Sequence, residues 1–243
     1  MRVKAFAKRN VKELFRDPLT LFFGLGFPLV LLLLMNLIQR NVPVHVFELD
    51  TLAPGIAAFG LTFLALFSGL LIAKDRSSAF LARLTASPMT AADFLLGYLL
   101  PMLPMAVGQS IICLAAAVAL GLPLSWNLLA VTASLIPSAF LFIGLGLLCG
   151  TLFNDKQVGG ICGALLTNAT AWLAGIWFDL SLVGGAFKTV AYLLPFVHGV
   201  DGAKAALAGD WAALPGHLLW VSAWALAVMA GAVALFRWKM VER

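Results

Sequence analysis

The chain alternates between long apolar runs and short polar joints. Six runs stand out: Leu19–Ile38, Leu52–Ala73, Phe94–Leu120, Asn127–Phe153, Val158–Phe178 and Pro215–Phe236. Each approaches or exceeds the ~20 residues that a helix needs to cross a hydrocarbon core about 30 Å thick. The runs are continuous, whereas strands of a membrane barrel would alternate in polarity over about 10 residues. The pattern predicts an all-α membrane protein of six spans forming one domain over residues 1–243. Basic residues precede the first run, but it is longer than a signal-peptide core and no small-residue cleavage site follows it, so it is read as an uncleaved span.

The joints differ among themselves. In Met1–Asp17, Val3, Phe6, Ala7, Leu14 and Phe15 share one helical face, while Lys4, Lys8, Lys12 and Arg16 recur every four residues on another. This predicts a helix lying in the membrane interface, its basic stripe toward anionic lipid headgroups, broken at Asp17–Pro18 before the first span. Residues 179–214 are too interrupted by Gly and Pro to span and too apolar for a free loop. Two short re-entrant helices at the outer face suit them, because irregular backbone at membrane depth must be covered by protein. Residues Asp75–Asp93, "DRSSAFLARLTASPMTAAD", form a polar insertion between the second and third runs.

Composition agrees with this reading: 62% of the 243 residues are hydrophobic and 11% charged, against about 25% charged in soluble domains. The net charge of +5 reports topology. Six Lys and Arg precede the first span, three follow the second, one follows the fourth and three follow the last, against Arg40, Lys188 and Lys204 in the remaining joints. The positive-inside rule then puts both termini in the cytoplasm. No soluble basic face exists for nucleic acid. Cys113, Cys149 and Cys162 all fall inside spans with no metal-binding spacing.

Chemistry is sparse. His45, His198 and His217 have no Ser or Asp at triad spacing, and capping or packing roles suit them better than catalysis; no catalytic or metal-ligating residue is assigned. "GGAFKT" (Gly184–Thr189) lacks the glycines of a phosphate loop, since Leu182 and Phe187 stand in their places. The spans hold no charged relay of the kind that drives ion-coupled carriers. Gln109 and Asn168 are the most polar mid-span side chains, open to interhelical bonding or substrate contact. The G-x-x-x-G pairs Gly146/Gly150 and Gly159/Gly163 predict close approach of the fourth and fifth spans. Phe22, Phe23 and Phe27 in the first span, with Trp172, Trp177 and Phe178 in the fifth, offer aromatic faces suited to a bulky amphipathic cargo; Trp177 and Phe178 also fit an interfacial belt.

Four stretches together resemble the permease subunit of an ABC-2-type exporter, the membrane half of an ATP-binding cassette transporter. They are "RNVKELFRDPLTLFFGLGFPLVLLLL" (Arg9–Leu34), "FLARLTASPMTAADFLLGYLL" (Phe80–Leu100), "LPFVHGVDGAKAALAGD" (Leu194–Asp210) and the tail "ALFRWKMVER". The likeness covers the whole chain. One departure is that Asp75 stands alone with Ser77 and Ser78 where relatives often carry a glutamate-rich turn. The resemblance implies a bacterial cytoplasmic (inner) membrane protein that works with a second permease copy, identical or related, and with two copies of a soluble ABC ATPase. ATP and Mg would be bound by that partner, and no cofactor by this chain. It also implies a coupling helix in residues 74–93. There Ser77 or Ser78 can cap the helix, Phe80, Leu81 and Leu84 give it an apolar face, Arg83 gives a polar contact, Pro88 ends it, and Thr90 and Asp93 form a capping box. Phe22, Phe23, Phe27, Asn168 and Trp172 would then flank the substrate path, and Trp177, Pro195, Phe196 and His198 would belong to the outer re-entrant segment. The expected function is ATP-driven outward movement of a drug, lipid, glycolipid or glycan; a membrane scaffold or assembly factor is the alternative.

Overall fold

The structure, a computed structural model, describes residues 2–42, 47–78 and 89–241. Among these residues it is all-helical, with nine helices: α1 (Arg2–Arg16), α2 (Pro18–Asn41), α3 (Leu49–Ser77), α4 (Ala91–Ala119), α5 (Asn127–Leu152), α6 (155–173), α7 (Gly185–Leu193), α8 (Pro195–Ala208) and α9 (Leu214–Val241). Five of them, α2, α3, α4, α5 and α9, are long and apolar enough to cross a membrane. The run expected as a further span, Val158–Phe178, is helical only as far as Leu173, because Ala174 ends the helix and Gly175 turns the chain at φ +64°. Lys156, Gln157, Thr167, Asn168 and Thr170 dilute its apolar character. At ~1.5 Å per residue α6 is at most about 28 Å long.

α3 is the axis of the bundle: 89% of its most apolar window is buried, against 22% for α2 and 17% for α9, which form the rim. The chain ends lie together at one end, here the basic end. There Phe236 of α9 packs on Phe94 at the start of α4, and Phe94 in turn meets Phe6 of α1. α6 runs antiparallel to α3. Its Val158 meets Gly69 near the basic end, and its Thr170 shares a small cavity with Ala58 toward the far end.

Glycine sets the closest approaches. A Cβ at Gly146 would fall 2.1 Å from the Ala65 carbonyl, and one at Gly150 would fall 2.4 Å from the Gly69 carbonyl. The Gly146/Gly150 pair therefore seats α5 on α3. This corrects the expected pairing with α6, where, among the described residues, a Cβ on Gly159 or Gly160 would meet nothing and one on Gly163 would touch only the Leu66 side chain. The stripe finds its partner on the most buried helix, a long-range choice that spacing does not specify.

α1 also departs from expectation. Phe6, Ala7, Asn10 and Leu14 are buried and Phe15 is exposed, so most of its apolar face packs on protein. Phe6 sits against Gly97 of α4 so closely that a Cβ there would lie 2.2 Å from its ring. Lys4, Lys8, Lys12 and Arg16 remain exposed. Asp17 ends the helix and caps the next, accepting from the backbone N–H of Leu19 and Thr20, with Pro18 in the first helical position. A π-helical stretch at Phe22–Gly26 follows just before Pro28, which has no N–H to donate.

Candidate functional site: the junction at the basic end

Residues 79–88 connect α3 to α4, and Phe80, Leu81, Arg83, Leu84 and Pro88 lie outside the described residues. The helix ends on either side of them are strongly fixed. Asp75, in the last turn of α3, is 3% exposed. Its two oxygens accept from Arg9 Nη1 and Nη2 of α1 at 2.6 and 2.8 Å, and Oδ2 also accepts from Tyr98 Oη of α4 at 3.0 Å. Asn10 completes the network, accepting from Arg9 at 2.9 Å and donating to the Gly97 carbonyl at 3.0 Å. Burial works against the Arg9 charge, but the Asp75 carboxylate, with help from Glu13, outweighs it and holds the guanidinium above its ordinary pKa.

The neighbouring Arg76 points the other way and donates to the Thr151 carbonyl and, at 2.9 Å, to the Phe153 carbonyl, the frayed end of α5. Helix C-termini leave carbonyls unsatisfied, and a cation suits them. The Ser77 and Ser78 hydroxyls donate to the carbonyls of Lys74 and Asp75 and finish α3. At the other end of the segment the expected capping box is present: Asp93 N–H donates to Thr90 Oγ1 at 3.2 Å and Thr90 N–H to Asp93 Oδ2 at 2.9 Å. The junction thus ties α1, α3, α4 and α5 together immediately beside residues 79–88. Below it, a cavity of about 490 Å³ opens between α1, α2 and α3, floored by Leu14, Phe67, Leu70 and Leu71 and rimmed by Glu13, Arg16, Asp17 and Lys74.

The other expected site residues fall in three places. Phe23 and Phe27 are half-buried and join a continuous aromatic chain. Phe27 meets Phe63 at 5.5 Å, Phe63 meets Phe59 at 6.0 Å, and Phe59 meets Trp177 at 5.8 Å. Phe59 and Phe63 of α3 were not singled out in the sequence; their i,i+4 spacing was the available signal. Phe22, Asn168 and Trp172 lie exposed on the outside of the bundle, where Asn168 donates to the Ala164 carbonyl and Trp172 meets Phe178 at 6.0 Å. Gln109 is buried and donates to the Ala57 carbonyl at 3.4 Å and toward Cys113 Sγ at 3.5 Å, an interhelical role.

The far end carries the third group. Residues 185–208 form the two short helices expected there, α7 and α8. Pro195 opens α8, Phe196 stacks on Phe142 of α5 at 5.8 Å, and His198 contacts His217 of α9. Tyr192 Oη donates to Asp201 at 3.2 Å; burial and the Asp201 carboxylate both raise its pKa.

A helical bundle with five helices long and apolar enough to cross a membrane defines a multi-pass membrane protein. Residues 1–207 match the ABC-2 type transporter family, and the chain belongs to it. It carries an ABC-2 transporter permease domain, and such permeases generally pair with ABC ATPase subunits. Among curated relatives it is 35% identical over 94 residues to the protein named "Putative transport permease ycf38" of Pyropia yezoensis, covering 37% of this chain and 32% of the relative. The protein of the same name from Porphyra purpurea is 35% identical over 92 residues, covering 36% and 32% respectively. The match thus spans about a third of each relative's length.

Proposed function

We propose that this permease exports a hydrophobic or amphipathic molecule, a drug, lipid, glycolipid or glycan, across a bacterial cytoplasmic membrane. In this reading two copies, or one copy and a related chain, work with two soluble ATPase subunits that bind ATP and Mg. The basic end faces the cytoplasm, consistent with its Lys and Arg excess. α6 serves as the sixth crossing, its antiparallel course along α3 supporting this. Phe22, Phe23, Phe27, Asn168 and Trp172 flank the path, and the far-end helices with Trp177, Pro195, Phe196 and His198 close its outer side.

The single observation that carries the reading is the junction. A segment of about ten residues, placed between one helix end locked by Asp75, Arg9 and Tyr98 and another fixed by the Thr90–Asp93 capping box, will transmit displacement to α3 and α4 with little slack. In this reading residues 74–93 are the coupling segment, with Phe80, Leu81 and Leu84 meeting the ATPase, Arg83 adding a polar contact and Pro88 serving as its stop. The test is the pair of substitutions Phe80→Asp and Leu84→Asp in a reconstituted permease–ATPase complex. ATPase stimulation and cargo transport should both be lost while the permease remains folded. Intact transport and stimulation would overturn the coupling assignment, and failure to co-purify any P-loop ATPase with the parent chain would favour a scaffold.

A further inference from the structure

Two imidazoles meet where α8 joins α9. His198 Nδ1 lies 2.9 Å from His217 Nδ1, and His198 Nε2 lies 3.0 Å from the Tyr192 carbonyl at the end of α7. The geometry assigns the protons. A carbonyl only accepts, so His198 carries hydrogen on Nε2. In the neutral pair its Nδ1 is then the acceptor and His217 Nδ1 the donor. One added proton leaves an Nδ1–H···Nδ1 bond in place, now charge-assisted, whichever ring holds it. With two added protons both Nδ1 atoms bear hydrogen and both rings are cations at 2.9 Å, and the bond has no acceptor.

We infer that the His198–His217 contact is a proton-operated latch that holds the α7–α8 pair against α9 with up to one extra proton and releases it with two. The contact lies where release has a structural consequence. His198 also packs on Trp220 of α9 at 5.6 Å and on the Tyr192 ring at 5.7 Å, so its ring is the node joining α7, α8 and α9. The extended residue Leu194 between α7 and α8 provides a hinge. Behind the pair, α8 and α9 approach closely: a Cβ on Gly202 would lie 3.2 Å from His217 Cβ.

Charged side chains of both signs lie on the elements around the latch. Asp201 on α8, which accepts from Tyr192, and Asp210 before α9 are the carboxylates. Lys188 on α7, over the Tyr192 ring at 5.9 Å, and Lys204 on α8, which donates to the Gly175 carbonyl, are the cations on the same helices. Asp179, in the turn after α6, acts on Tyr192. The first turns of α9, "LPGHLLW", bring no ionisable side chain besides His217. Coupled sites of this kind take up protons in two separated steps.

The test uses the full chain with ¹⁵N-labelled histidine in phosphatidylcholine nanodiscs, carrying His45→Gln so that only the pair reports. Near pH 8 one ring should show hydrogen on Nε2 and the other on Nδ1. On acidification to about pH 5 two transitions should appear, separated by more than a pH unit, where isolated rings would share one near pH 6.5. Amide exchange across residues 185–208, corrected for its intrinsic pH dependence, should rise about tenfold with the second transition and not with the first. In His217→Gln the carboxamide can serve as donor or acceptor but takes no proton, so exchange should stay flat. Independent titration of the two rings, or an acid-induced rise in exchange that persists in His217→Gln, would overturn the latch. The parent titration alone decides the question if that variant fails to fold.

Discussion

Arg9 and Asp75 stand 66 positions apart in the chain and form a two-pronged ion pair at 2.6 and 2.8 Å. Asp75 is almost wholly buried and Arg9 is a third exposed, so the two substitutions differ in their effects. Arg9→Ala leaves a buried carboxylate with Tyr98 as its one remaining side-chain donor among the described residues. Loss of one partner of a buried pair costs roughly 3 kcal/mol, and somewhat less where water can reach the vacated site. Asp75→Asn keeps the hydrogen bonds in part and should cost less, about 1–2 kcal/mol. Thermal unfolding of the purified protein in detergent should rank the variants in that order. Equal effects would show that the pair is solvated.

In the sequence Asp75 stands alone where relatives of the resembled family often carry a glutamate-rich turn. In the fold it is bonded to Arg9 of α1 and Tyr98 of α4, partners too far away in sequence to be read from its neighbours. What was legible was local: the apolar runs, the Asp17–Pro18 break and the Thr90–Asp93 box each follow from neighbours within four residues. The Arg9 pairing, the seat of Gly146 on α3 and the docking of Phe6 on Gly97 are tertiary choices with many sterically equivalent alternatives along the chain. The apolar face of α1 shows the ambiguity well, since lipid and a greasy helix partner impose the same 3.6-residue period.

Gly146→Ala tests the α3–α5 seam. The added Cβ would meet the Ala65 carbonyl and Ser68 Oγ, both at 2.1 Å, and a backbone carbonyl cannot rotate away. Overpacking of this type costs about 1–3 kcal/mol, so a clear fall in melting temperature is expected. Gly160→Ala, which meets nothing, should melt with the parent. If the two variants behave alike, α5 is not seated on α3 as described.

Tyr192 supplies an alkaline signature at the far end. Its folded pKa is raised by burial and by Asp201. A group whose pKa is raised on folding contributes stability that is complete below its unfolded value of about 10 and is lost as pH rises through the folded value. Unfolding monitored between pH 9 and about 11 should therefore show a loss that Tyr192→Phe makes shallower. A variant with the parent's slope would place the ionisation elsewhere. Tyr192→Phe keeps the backbone carbonyl that accepts from His198, so the histidine contact should survive it.

Gln109 decides between a packing and a substrate role for the strongest polar group at mid-bundle depth. Its Nε2 makes long bonds to the Ala57 carbonyl and toward Cys113 Sγ, while Oε1 is buried without a partner among the described residues. Such a group contributes little net stability, because the unsatisfied acceptor offsets most of what the donor gains. Its neighbourhood is also tight, since a Cβ on Gly60 would lie 2.3 Å from Nε2, which favours a replacement of equal length and no branching. Gln109→Met meets that requirement and removes both polar atoms. The variant should be as stable as the parent or slightly more so, within about 1 kcal/mol, and should transport normally once a cargo is in hand. Retained stability with lost transport would instead show that Gln109 is exposed to substrate in another state of the cycle and is a contact on the path.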